Sequence, residues 1–339
     1  MISALVAGIG GGSLGTEVLK ALKLAGGYRI VGCDISPLAF GFYAGFCDAV
    51  ALARADGYIE SLLSICRTHN VQIVIPGAEV PTKLIANSAE LFRKEGIALA
   101  INSADVAART NDKKRCFSEL SKLGIAIPRT SEADNVAALD EMPLPCVIKP
   151  SVDSGGSAFV FYARDRDEMK FYATYLSLNG KKPIAQEYIS HENGEYTVGV
   201  LSEPDGSIAG VIAMQRSFPN KLSISAEGEN YLISSGISQG RFDEFPEICA
   251  AARKIAIALN SMGPLNIQGR VDAHGRFLPF EINPRFSAST YLRATAGFNE
   301  IDYFARRLME LPVTPLSMRP GWYLRGVTEA FVSDQGIVA

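Results

Sequence analysis

Four polar residues near the end of the chain, Gln268, Glu281, Asn283 and Arg285, have types and spacing that suit a cation beside a phosphate. NIQGRVDA alternates polar and apolar residues, Ala273-His274-Gly275 supplies a turn, and RFLPFEIN alternates again, which predicts a β-hairpin. Side chains two apart share a strand face, so Glu281 and Asn283 lie together and the hairpin brings Gln268 alongside. A carboxylate between two amides suits a hard cation such as Mg²⁺ that takes its other ligands from water and phosphates. Arg285, just past the strand, adds a fixed charge for phosphoryl oxygens. The plain alternative is a surface hairpin with solvent-facing polar residues.

A second set lies in the middle. The apolar strand CVIK ends in Lys149, and the glycine-rich turn Asp153, Ser154, Gly155, Gly156, Ser157 leads into AFVFY. A lysine fixed before a turn rich in backbone N–H groups can hold phosphates and close over them. A hairpin turn needs the glycines but not Lys149, which is costly among apolar neighbours without a partner. Upstream, NDKKRCFSELSKLGI reads as an amphipathic helix with Asn111 or Asp112 as N-cap. Lys113 and Lys114 in its first turn run against the helix dipole, which points to an anionic ligand; solvated lysines are the alternative.

These groups need a scaffold. ISALVAG and YRIVGCD read as buried parallel strands, with TEVLKALKLAG as a helix between them. A helix near 58–69, the strand VQIVIPG, a helix over 81–95 and the strand IALAI continue the alternation, giving a doubly wound parallel sheet. Gly10–Gly15 fits G-x-G-x-x-G and Asp34 stands at a ribose-binding position, which raises a rival reading as an NAD-dependent dehydrogenase. Close packing also explains such glycines. Asp34 and Glu79 sit at strand ends, where open sheets place ligands, although either could be a helix cap. Further on, 165–179 reads as a helix, PIAQEYI as a strand ending in a polar hinge, and SFPNKLSISAEGEN as a mobile loop. FPEICAAARKIAIALN is an amphipathic helix, and GWYLRGVTEAFV is strand-like.

Composition sets the class. The 339 residues are 47% hydrophobic and 20% charged with a net charge of −3, which fits a soluble chain of two or three domains and favours neither nucleic acid nor an anionic membrane. Six scattered cysteines without a C-x-x-C argue against zinc and disulfides and fit the cytoplasm. No secretory leader and no apolar run of the ~18 residues a span needs is visible. His69, His191 and His274 are isolated, and no Ser-His-Asp or Cys-His set appears.

In order and spacing the motifs resemble ATP-grasp enzymes, most closely the carbamoyl phosphate synthetase large chain and its single-module relatives. The resemblance implies an ATP-grasp fold, two α+β lobes clamping ATP, behind a Rossmann-like doubly wound α/β domain. The corresponding boundaries are 1–110 for the front domain, 111–188 for the small lobe and 189–339 for the C-terminal lobe. It implies that Lys113 (with Lys114 second) and Lys149 hold phosphates under Ser154, Gly155, Gly156 and Ser157. Glu187, Tyr188 and Ile189 form the adenine hinge, and Glu195, with Glu192 as the alternative, takes the ribose. Gln268, Phe280 and Glu281 complete the nucleotide site, and Gln268, Glu281 and Asn283 bind one or two Mg²⁺, or Mn²⁺. Arg285, Lys149 and Arg216 are the implied catalytic groups, with Arg216 meeting a phosphate or a substrate carboxylate. The front domain generally carries no dinucleotide in such proteins and walls the substrate side.

The implied reaction is MgATP-dependent joining of a small carboxylate to an amine or ammonia through an acyl phosphate. A carbamoyl-phosphate-type phosphorylation and a non-catalytic ATP-binding protein are the alternatives, since one module is present where the synthetase has two. A homodimer is the default assembly.

Overall fold

Ile2–Ala7, buried at every position, is the centre of a five-stranded parallel sheet. The computed structural model describes residues 1–11, 14–133, 139–152, 158–219 and 221–338. The sheet runs Ala49–Leu52, Tyr28–Asp34, Ile2–Ala7, Ile73–Pro76, Ala98–Leu99, all parallel. Helices cover both faces, which is why these strands are continuously apolar instead of alternating. The helix expected near 58–69 spans Tyr58–His69. The one expected over 81–95 divides at Ser88 into Glu79–Asn87 and Ala89–Lys94.

The glycine fingerprint has a packing role here. A Cβ on Gly15 would lie 2.0 Å from the Gly8 carbonyl oxygen, and one on Gly77 2.3 Å from the same atom. Asp34 accepts hydrogen bonds from the backbone N–H of Ile9 at 2.7 Å and of Ser36 at 3.0 Å. It closes the turn from within and is largely buried. Gly12 and Ser13 lie outside the described residues.

The small lobe is an antiparallel sheet in the order Thr130–Glu132, Pro183–Glu187, Cys146–Pro150, Phe161–Ala163. Helix Arg166–Leu178, capped by Asp165, packs Met169, Ala173 and Leu176 onto it. The C-terminal lobe is a six-stranded antiparallel sheet: Phe277–Asn283, Pro264–Val271, Glu195–Ser202, Ile208–Arg216, Gly240–Asp243, Gly321–Tyr323. Helix Pro246–Ala258 covers one face, and helix Lys113–Lys122 puts Phe117 and Leu120 into the same core.

Two expectations need correction. The presumed loop at 217–230 contains the strand Ile224–Gly228, which pairs with Tyr231–Ser234 across a two-residue turn. The expected strand at 321–332 shortens to Gly321–Tyr323. Beyond it Arg325 turns inward to Glu17 at 2.8 Å, so the chain stops pairing and becomes a strap on the front domain. The front domain and the C-terminal lobe also share a core, in which Val6, Val18, Leu19 and Leu22 meet Phe286, Ala294, Ile301 and Phe304. Among the described residues no helix is long and apolar enough to cross a membrane.

Candidate active site

Strand Cys146–Pro150 alternates faces. Cys146 and Ile148 enter the small-lobe core, so Val147 and Lys149 point the other way, into a cleft between the lobes. Lys113, Glu187, Tyr188, Ile189, Gln268, Phe280, Glu281 and Arg285 line the same cleft. Lys149 is only 7% exposed; its Nζ donates to Gln186 Oε1 at 2.7 Å and to the Phe280 carbonyl at 2.8 Å, bridging the two lobes. Burial, then the nearby Lys113 charge, push its pKa down to about 7 against the pull of Glu281. Asp112 caps the next helix and accepts from Ser151 Oγ at 2.9 Å, which sets Lys113 beside the end of the Lys149 strand. Lys114 instead pairs with Glu132 at 2.8 Å. Ser154, Gly155, Gly156 and Ser157 lie outside the described residues.

The hairpin forms as expected, and a register shift between Gln268 and Gly269 sets Gln268 opposite Glu281 and Asn266 opposite Asn283. Among the described residues the Glu281 carboxylate makes no hydrogen bond or ion pair, and Gln268 Oε1 receives only a 3.4 Å contact from Arg216. Asn283 is buried, and its Nδ2 has no partner among the described residues. An uncommitted carboxylate flanked by amides fits a hard cation completed by phosphate and water. The described residues contain no cluster of three His, Cys, Asp or Glu that could hold a metal, so a site here depends on those amides. Arg285 lines the cleft and pairs with Glu79 at 3.0 Å, which brings a front-domain carboxylate to the site.

Glu195 and Arg216 are not brought to the cleft wall. Tyr196 pairs with Gln215, so the preceding and following residues, Glu195 and Arg216, face each other on adjacent strands. They form a 2.9 Å ion pair with side chains 0% and 1% exposed. Arg270 pairs with the other Glu195 oxygen at 2.7 Å. Burial opposes the Glu195 charge, but the two guanidiniums overcome it and hold the carboxyl below the usual range. Arg216 also donates to the carbonyls of Ser235 and Ile237, and burial lowers its pKa. Arg216 thus ends a strand instead of opening a mobile loop, and its two terminal nitrogens are engaged within the lobe. Glu192 lies exposed in the preceding turn.

Residues 110–289, more than half of the chain, match the family profile described as ATP-grasp domain. The chain belongs to the ATP-grasp family. Residues 7–100 of this ATP-grasp protein match a PylC-like, N-terminal domain. The carbamoyl phosphate synthase large chain of Ralstonia nicotianae is 25% identical over 86% of this chain and 29% of its own length. That of Thermotoga sp. is 26% identical over 83% and 26%. The chain therefore spans less than a third of these relatives. The L-amino acid ligase of Bacillus licheniformis shares the fold with a TM-score of 0.69 at 14% identity, covering 94% of this chain and 78% of that one. The ADP complex of N5-carboxyaminoimidazole ribonucleotide synthetase gives 0.68 at 18%, covering 94% and 80%.

Sequence reasoning missed Arg270, which lines the cleft of this ATP-grasp lobe. It donates to the Ile189 carbonyl at 2.8 Å and lies over the rings of Tyr188 and Phe280. Its signal was available, because it is two residues beyond Gln268 on the same strand face. Tyr188 is fixed in turn by an edge contact with Tyr162, which stacks on Tyr231, and by the Leu232 N–H donating to its hydroxyl at 2.9 Å. That packing depends on the strand Tyr231–Ser234, whose partner Ile224–Gly228 lies in the stretch expected to be a loop.

Proposed function

We propose that this protein is a MgATP-dependent ligase that joins a small carboxylate to an amine or ammonia through an acyl phosphate, releasing ADP and phosphate. The observation that carries the reading is Lys149, a buried ammonium bridging the lobes, in one cleft with Lys113, Arg285, Gln268 and the uncommitted Glu281. ATP would lie with its adenine at Glu187–Ile189, between Tyr188 and Phe280, and its phosphates toward Lys149 and Lys113. A substrate carboxylate oxygen attacks the γ-phosphorus as the bond to ADP breaks. The amine then attacks the acyl carbon, the C–O bond to phosphate breaks, and the amine proton passes to phosphate or solvent. Lys149, Lys113 and Arg285 neutralise the phosphoryl oxygens in this scheme, and no protein nucleophile is required. Gln268, Glu281 and Asn283 would hold one or two Mg²⁺, or Mn²⁺, whose charge offsets that of the phosphates. The division at 1–110, 111–188 and 189–339 is part of this proposal, as are a homodimer and a cytoplasmic location.

The match to carbamoyl phosphate synthase large chains favours a second reading, phosphorylation of a carbamoyl- or bicarbonate-type acceptor. ADP release from MgATP, with pooled carboxylic acids in the presence and absence of pooled amines, separates the two. ADP that needs both pools supports the ligase; release with acids alone supports the second reading. Silence in every pool refutes both.

A further inference from the structure

We propose that Arg293, buried behind the hairpin, is a positioning residue for the cation site: it holds in place the polar neighbours of Asn283 and Gln268. This rests on the ligase reading above, in which Gln268, Glu281 and Asn283 hold Mg²⁺. Arg293 lies on helix Thr290–Thr295, and its side chain is fully buried. Its fork is divided between two partners. Nη1 donates to Glu300 Oε1 at 2.9 Å, and Nη2 donates to Asn266 Oδ1 at 2.7 Å, with a longer 3.4 Å contact to Thr197 Oγ1. Thr197 Oγ1 itself donates to the same Asn266 oxygen at 2.9 Å. The sheet makes room for the guanidinium, since a Cβ on Gly199 would lie 2.4 Å from Arg293 Nη1. Glu300 opens helix Glu300–Leu308, whose first-turn N–H groups favour its charge, and it also accepts from Thr290 Oγ1 at 2.8 Å.

Strand register brings this grip to the site. Asn266 stands opposite Asn283, and Thr197 stands opposite Gln268. Opposite residues of antiparallel strands share a face, with Cβ atoms about 4.5–5.5 Å apart. The two sheet residues that Arg293 holds are therefore the immediate neighbours of the two amides. A guanidinium has donors and no acceptor, so only the oxygen of the Asn266 amide can face it. Arg293 thus decides which way Asn266 is turned, and with Thr197 it fixes the surface beside which Asn283 settles. Asn283 needs such a guide, because its Nδ2 has no partner among the described residues. Stability alone does not account for the cluster. Arg293 Nε and Glu300 Oε2 are buried without partners among the described residues, and packed apolar side chains often replace a buried ion pair at no loss of stability. What apolar residues would not supply is a direction for the amides.

The test is calorimetric titration of the whole chain with ADP, once in EDTA and once with Mg²⁺, because the ratio of the two affinities reads the cation. Arg293→Met combined with Glu300→Gln leaves neither charge buried alone. In this double variant ADP affinity in EDTA should stay within about twofold, while MgADP affinity falls by about tenfold or more. Arg293→Lys keeps a charge beside Glu300 but offers a point donor in place of the fork, and should show the same selective loss. Thr197→Val loosens Asn266 without touching a charge and should weaken MgADP by about threefold or more. It decides the question if circular dichroism shows the double variant to be unfolded. MgADP affinity close to that of the wild type in the folded variants, or equal losses of ADP and MgADP, overturns the role of Arg293 and leaves the ligase reading standing. A wild-type chain that binds MgADP no more tightly than ADP overturns the cation site on which both rest.

Discussion

Replacing Lys149 with Met should make the apoprotein's stability less dependent on pH while removing nucleotide binding. In the folded chain the ammonium is buried and its pKa lies at about 7; in the unfolded chain it returns to its ordinary value of 10.5. Between these values the unfolded state holds more protons than the folded one. Lys149 therefore makes stability rise with pH over that window, and its charging penalty is fully present below about pH 7. From pH 6.5 to 8.5 the two pKa values give a gain of about 2 kcal/mol for the wild type that Met at the same position lacks. The thioether chain fills similar volume but loses the bonds to Gln186 and the Phe280 carbonyl, each worth about 1 kcal/mol. Urea unfolding of both proteins at pH 6.5, 7.5 and 8.5 measures the difference, and isothermal titration with MgATP measures the functional loss. Parallel stability curves would refute the buried-ammonium argument. Undiminished MgATP affinity in the variant would refute the role of Lys149 in holding phosphate.

Three further substitutions probe separate parts of the molecule. Glu281→Ala should leave the fold intact, within about 1 kcal/mol by urea unfolding, because among the described residues the carboxylate makes no hydrogen bond or ion pair and only a longer-range attraction to Lys149 and Arg216 is lost. The same change should lower ADP release by about 10² or more; normal turnover by a folded variant sinks the metal assignment. Glu195→Gln leaves two buried guanidiniums without their anion and should destabilise the protein by about 3–5 kcal/mol, seen as an early unfolding midpoint. A midpoint close to that of the wild type would show the ion pair to be dispensable. Gly15→Ala drives a methyl into the Gly8 carbonyl oxygen and should destabilise by about 1–3 kcal/mol or more, read by circular dichroism on heating.

Strand alternation and helix capping made much of the fold legible from the residues alone. The parallel strands announced themselves as apolar runs, Tyr58–His69 matched its spacing, and Asp112 capped its helix as its type suggests. The hairpin followed from alternation about a short turn, but the register shift between Gln268 and Gly269 that sets Gln268 opposite Glu281 was not legible. What sequence could not carry was pairing between distant strands. Glu195 and Arg216 are 21 positions apart and look like two independent polar residues; only the register of their strands makes them partners. The same holds for the backbone N–H groups of Ile9 and Ser36 from which Asp34 accepts, a role its place at a strand end did not indicate. Arg325 was hidden for a similar reason, since nothing local indicates that a late arginine turns inward to Glu17.

The core shared by the front domain and the C-terminal lobe has a consequence for biosynthesis. Helix Leu14–Ala25 emerges early, but Val18, Leu19 and Leu22 pack against Ile301 and Phe304, which are translated some 280 positions later. At about 5–20 residues per second, that interval lasts roughly 15 to 55 s. Over that time the front domain's sheet can assemble from its own strands, while part of the apolar side of this helix stays without its final cover. Nascent chains of this protein are therefore sticky along this helix until Ile301 and Phe304 have been made, and chaperone capture during translation should map to Leu14–Ala25.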